Sequence, residues 1–126
     1  MITTTYAAIL ALFLVMLSLR VIALRGNPLF RFLAFRNLGQ ATLDRAIRGH
    51  GNLTEYAPVM LILMFLGEQQ GLSATTLHLL GGMFLVGRLA HGICFGFMTH
   101  SMPLRIGGIA LTLTAIGALA IRLLAG

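Results

Sequence analysis

Apolar residues in this chain fall into four long blocks separated by short polar segments. The first block runs over residues 5–24, unbroken from Tyr6 to Leu17. Arg20 and Arg25 close it, and Gly26-Asn27-Pro28 stops a helix in the expected way. Residues 25–42 interleave Arg31 and Arg36 with Leu29, Phe30, Phe32, Leu33 and Phe35, a mixture suited to the membrane interface. The second block is plainly apolar only from Tyr56 to Leu66, because Asp44, Arg45, Arg48, Asn52 and Glu55 occupy its first half. A hydropathy window would start it too late, whereas a helix over 42–66 has full length, provided its first three turns face protein or water. Gly67 to Gly71 form a turn, Ser73 is a candidate N-cap, and the third block spans 74–98 with Arg88 and His91 inside it. The fourth runs over 105–124 after His100-Ser101-Met102-Pro103, and Gly107, Gly108, Ala110, Ala115, Gly117, Ala118 and Ala120 allow close helix packing there. The pattern predicts an all-α fold: one domain over 1–126, built as a membrane bundle of four transmembrane helices.

Composition removes the alternatives. Of 126 residues, 58% are hydrophobic and 10% charged, against roughly 25% charged in soluble domains. Mean hydropathy is +0.94, which excludes a soluble globular domain, and four spans of about 20 residues leave no room for a separate aqueous one. The formal net charge is +6, with nine Arg, no Lys, and only Asp44, Glu55 and Glu68 opposing them. A chain this lipid-compatible offers no face to nucleic acid, so the arginines are topology signals, anionic-lipid contacts or binders of an acidic ligand. Arg also grips carboxylates bidentately, which Lys cannot do. The single Cys94 excludes an intramolecular disulfide and any multi-Cys metal site, and no metal is expected. The N-terminus lacks the positive region of a cleaved signal, so the first block stays as a helix. Arginine counts put the first and third loops in the cytoplasm.

One stripe carries the chemistry. Arg45, Arg48, Asn52 and Glu55 step by three, four and three, so they share a helix face. On the third helix Arg88, His91 and Phe95 make a second half-polar face. Ionisable groups at bilayer depth are costly and turn toward a bundle interior or an aqueous cavity, so the two stripes predict a polar cleft between helices. A structural role for any one of them needs no ligand, for Arg48 and Glu55 could neutralise each other and Asn52 could bridge helices. The whole set is more than an ion pair requires. A net-positive cleft holding one carboxylate suits a guest with several carboxylates and one ammonium, such as glutathione. Two arginines would hold its carboxylates and Glu55 its amino group, leaving the thiol toward lipid. A thiol with a pKa of about 8.5 needs its thiolate stabilised at neutral pH, and Arg105 and Arg88 are candidates for that.

At these residues the sequence resembles the membrane-associated proteins in eicosanoid and glutathione metabolism, the MAPEG family. The shared core is Arg48, Asn52 and Glu55, followed by the aromatic Tyr56 and by Pro58. Leu85-Val86-Gly87-Arg88-Leu89-Ala90-His91 is similar to the family's third helix, and Pro103-Leu104-Arg105 to the entry of its fourth. The likeness covers about Arg20 to Arg105, and is to small bacterial members and to the microsomal glutathione transferases. It implies a homotrimer in a bacterial inner membrane, with glutathione as co-substrate bound at subunit interfaces. Arg48, Asn52, Glu55, Tyr56, Arg88 and His91 would hold it, and Arg105 would stabilise its thiolate. The implied activity is transfer of glutathione to lipophilic electrophiles or reduction of lipid hydroperoxides. The implied partners are glutathione, a lipophilic small molecule and membrane lipid.

Two features depart from the family pattern. Phe95 replaces a tyrosine and cannot donate a hydrogen bond, and the arginines ending the first helix, Arg20 and Arg25, match imperfectly. The Phe favours an alternative, a non-catalytic lipid- or glutathione-binding protein on the same fold. A small channel or transporter subunit is a further rival, in which the intramembrane ionisable residues line a permeation route.

Overall fold

A computed structural model describes the whole chain, Met1–Gly126. It is all-helical, with four long helices and one short one. Helix α1 is Ile2–Leu24, α2 Gln40–Gln69, α3 Ala74–Phe97 and α4 Met102–Leu124, and a 3-10 helix, Pro28–Leu33, follows α1. The long helices run alternately up and down. Glu68 at the end of α2 meets Ile2 and Thr3 at the start of α1, while Arg20 near the end of α1 meets Gly96 near the end of α3.

Local sequence explains where each helix begins and ends. Helix α1 has no capping side chain of its own. Its first N–H groups, which every helix leaves unpaired, donate instead to the two Glu68 carboxylate oxygens, Ile2 N at 2.6 Å and Thr3 N at 3.0 Å. Gly26, at φ +94°, turns the chain out of α1. Asn27 then caps the 3-10 helix by accepting from Leu29 N at 2.9 Å, so part of the segment expected to be loop is helical. Ser73 caps α3 as its sequence predicts, accepting from Thr76 N at 3.2 Å. Helix α4 begins at Met102, three residues earlier than its apolar block, with Pro103 in the first turn where a missing N–H costs nothing.

The core joins all four long helices through Leu10, Phe13 and Leu17 of α1, Leu53, Met60 and Met64 of α2, Leu80 and Phe84 of α3, and Ala115 and Leu119 of α4. Helices α2 and α3 touch every other long helix, whereas α1 and α4 do not touch each other. The closest approach is between α3 and α4. A Cβ on Gly87 would lie 2.8 Å from the Gly108 carbonyl oxygen, and one on Gly108 would meet Gly87 equally. Gly107 and Gly117, also expected to serve close packing, face open space.

Three helices, α1, α3 and α4, are long and apolar enough to cross a membrane. The outward faces carry large apolar side chains such as Leu12, Val15, Leu79, Val86 and Leu113. Helix α2 is the longest at 30 residues, about 45 Å at 1.5 Å per residue, but the polar residues of its first half keep it outside that set.

Candidate functional site

The α2 stripe lies beside α3, and Gly49 sets their separation. A Cβ there would lie 3.0 Å from the Phe95 Cβ. This approach divides the polar residues into two neighbouring groups.

The first group centres on Arg88, which is 1% exposed. Its Nε donates to Thr112 Oγ1 of α4 at 2.8 Å, and that hydroxyl donates in turn to the Gly108 carbonyl at 2.7 Å. Nη1 donates to Asn52 Oδ1 of α2. The guanidinium carbon lies 5.1 Å from the centre of the Tyr56 ring. Nη2 is buried without a partner. One arginine therefore ties three helices together and still has a donor to spare.

The second group surrounds Phe95. His91 stacks on its ring at 4.5 Å between centroids, and its Nδ1 is buried without a partner. The Arg45 guanidinium lies 4.6 Å from the ring centre and that of Arg105 5.8 Å, geometries in which a cation is attracted to the ring's negative face. Arg45 Nη2 also donates to the Cys94 carbonyl at 3.0 Å, and its Nε is a further buried orphan. Cys94 is buried, with Sγ 3.4 Å from the Ser101 carbonyl oxygen.

Arg48 and Glu55 are exposed at the outer edge of the stripe, as is Arg105 on the first turn of α4. The structure thus brings Asn52, Tyr56 and Arg88 into one cluster and His91 and Arg105 around Phe95, with Arg48 and Glu55 flanking both on α2. None of the four cavities is lined by these seven residues. The expected cleft is not formed as a cavity: Arg88 and His91 are buried, and Arg48, Glu55 and Arg105 stand on an open face beside them. No group of three His, Cys, Asp or Glu side chains is arranged to hold a metal ion.

One participant lies outside the sequence reading, and another takes a part it did not give. Thr112 is the polar member of the inward stripe Gly108, Thr112, Ala115, Leu119 on α4, and that 4-3-4 spacing was the signal for it. Phe95, noted for lacking a hydroxyl, is the ring on which two arginines and a histidine converge. Arg20 is committed elsewhere. It is 1% exposed and donates to the carbonyls of Gly96 and Phe35, each at 2.7 Å, and of Leu33, beside the stacked rings of Phe35 and Phe97. It fastens the connecting segment to the ends of α1 and α3 and has no role at the cationic face.

A chain with three membrane-length apolar helices and a buried arginine cluster among them is an integral membrane protein with a polar face at depth. It belongs to the MAPEG family, whose model matches residues 3–125. The chain is similar to the inner membrane protein YecN of Escherichia coli strain K12, with 34% identity over 116 residues, 92% of this chain and 85% of the relative. YecN from a second Escherichia coli strain, O6:H1, matches to the same extent. No solved structure matches.

Proposed function

We propose that this protein is a membrane-embedded, glutathione-dependent transferase or peroxidase. In this reading α2 is the fourth membrane-crossing helix, and three copies assemble so that a neighbour closes the open face into a cleft. The exposure of Arg48, Glu55 and Arg105 supports it, because these three charged side chains stand where another subunit could cover them. The loops following α1 and α3 lie in the cytoplasm of a bacterium, where their arginines are retained.

The observation that carries the reading is the orphaned donor at Arg88 beside an exposed Arg48 and Glu55. A buried unpartnered donor costs roughly 1–3 kcal/mol, and a carboxylate of the guest removes that cost. Arg48 and Arg88 take the two carboxylates of glutathione, Asn52 orients Arg88, Glu55 takes the ammonium, and Tyr56 lines the same cluster. Arg105 stabilises the thiolate by its charge, a kind of preorganised electrostatics that contributes several kcal/mol. His91 lines the deep wall. In transfer, the thiolate sulfur forms a bond to the electrophilic carbon as the leaving group departs with its electron pair. In peroxide reduction, the sulfur takes the distal oxygen and the alcohol leaves, after which a second glutathione forms the disulfide and releases water. The lipophilic co-substrate arrives through the bilayer.

Rapid mixing of purified protein with glutathione, followed at the ultraviolet thiolate band, tests this. A thiolate signal with proton release at neutral pH is expected, and Arg105→Gln abolishes it while glutathione still binds. An unchanged band and no proton release overturn the catalytic reading.

A second reading, a non-catalytic binding protein, is favoured by Phe95. Arg45, Arg105 and His91 surround a ring with no hydroxyl to offer a thiolate. A conjugation assay over a panel of electrophiles separates the two, since a binder is stabilised by glutathione without consuming it.

A further inference from the structure

The contact between α1 and α2 bears a second feature, on a different surface from the cationic face. Two cavities lie along it in line. The larger, about 340 Å³, runs from Ala7 to Leu14 on α1 and from Leu53 to Leu61 on α2. Apart from Thr54 and the small residues it is bounded by leucines and Pro58. The other, about 240 Å³, is lined by Ser18, Val21, Ile22, Arg25, Ile47 and His50.

Helical spacing lines the two up end to end. The α1 residues lining them, from Ala7 through Leu14 and Ser18 to Arg25, recur at steps of three and four, and so do those of α2 from Ile47 through His50 to Leu61. Together they mark one groove about 27 Å long at 1.5 Å per residue. Its chemistry changes once, at the turn where Ser18 Oγ donates to the Leu14 carbonyl at 2.9 Å. On one side it is a trough for hydrocarbon; on the other it ends at an exposed guanidinium and an imidazole.

Ser18 and His50 could be mistaken for a nucleophile and its base, since Ser18 Oγ lies 2.9 Å from His50 Nε2. The bond to Leu14 argues otherwise. With its own proton given to that carbonyl, Ser18 accepts from His50 Nε2–H, so His50 is the donor and Ser18 is not activated. The bond instead fixes the imidazole at the groove's polar end and leaves Nδ1 as its remaining polar atom.

We propose that this groove holds an anionic membrane phospholipid, its phosphate between Arg25 and His50 and one acyl chain along Ala7–Leu14 and Leu53–Leu61. Charge complementarity selects the headgroup, because Arg25 and His50 stand at one end of the groove and no carboxylate lines either cavity. Alignment selects a lipid over a free anion, because the cationic end lies in line with an apolar trough. Basic residues at a membrane surface each add measurably to anionic-lipid affinity. The inference requires only that the protein is embedded in a membrane, and it stands or falls apart from glutathione binding.

Native mass spectrometry of the full-length protein in detergent, with phosphatidylglycerol competing against phosphatidylcholine, tests it. Phosphatidylglycerol is expected to be retained about ten-fold in preference, a difference of about 1.4 kcal/mol. Arg25→Gln with His50→Gln removes the preference and Arg25→Lys keeps it. Arg122→Gln, which deletes the same charge at the opposite end of the bundle, keeps it too. Ala11→Trp, which fills the trough, lowers retention of both lipids. Equal retention of the two lipids, or equal loss with Arg122→Gln, overturns the proposal. So does displacement by glycerol phosphate at matched concentration, which marks a free-anion site. Disulfide-linked dimers formed through Ala11→Cys would show a second copy occupying the groove and would overturn it as well.

Discussion

Arg20 and Arg88 are both 1% exposed, and they are buried in different ways. Arg20 meets backbone: three carbonyls accept from it and two phenylalanine rings lie beside it. Arg88 meets side chains, Thr112 and Asn52, and keeps an unpartnered nitrogen. Removing a charge from water is costly unless hydrogen bonds replace the lost hydration. Arg20 has that replacement within its own chain and is part of the architecture. Arg88 has it incompletely, as do Arg45 and His91 beside it, so that three of the four buried atoms without a partner lie at one face and only the Thr3 hydroxyl oxygen lies elsewhere. Burial alone therefore does not distinguish these two arginines; the state of the last donor does.

The largest effect should come from breaking the satisfied arginine. Arg20→Leu orphans three carbonyls at about 1 kcal/mol or more each, so a loss of about 3 kcal/mol and failure to isolate a monodisperse protein in mild detergent are expected. Gly87→Val should follow, since its side chain meets the Gly108 backbone at the closest helix approach. Overpacking of this kind costs roughly 1–3 kcal/mol, measurable as a lowered Tm. Arg88→Leu sharpens the comparison from the other side. Thr112 keeps its bond to Gly108, so stability should fall by only about 1 kcal/mol, while glutathione affinity measured by calorimetry should drop about 30-fold or more. A Tm loss as large as that of Arg20→Leu would erase the distinction between the two arginines.

The smallest effect belongs to the far end of the bundle. The adjacent Thr3 hydroxyl, the backbone N–H groups of Thr3 and Ile2, and the terminal ammonium hold the Glu68 carboxyl below its ordinary value, against the opposing effect of burial. A depressed folded value means that the clasp stabilises above the ordinary glutamate range and is lost as pH falls through the folded value. Glu68→Gln should therefore lower Tm slightly at pH 7, and the difference from the parent should vanish in strong acid.

Much of this organisation is legible in the residues. The apolar blocks locate α1, α3 and α4 to within a few residues, because a long lipid-compatible run is a collective signal. Helix α2 needed periodicity, since its polar first half hides it from hydropathy. The 3-10 helix is hidden, because Asn27-Pro28 announces the end of one helix and the start of another with the same residues. At the candidate site, spacing put Arg48, Asn52 and Glu55 on one face of α2, but no spacing announces that Asn52 would accept from Arg88 on α3. Arg20 was illegible for a deeper reason: its partners are carbonyl oxygens, which every residue has and no sequence pattern marks.

The central claim is that the unsatisfied cationic face awaits glutathione. Thermal denaturation of the purified protein in detergent tests it most directly, comparing glutathione with its dialkyl ester, in which both carboxylates are masked. A ligand that binds only the folded state raises Tm with concentration. A dose-dependent rise with glutathione is expected, absent with the diester and abolished in Arg88→Leu. No rise at millimolar glutathione, or an equal rise with the diester, would contradict it.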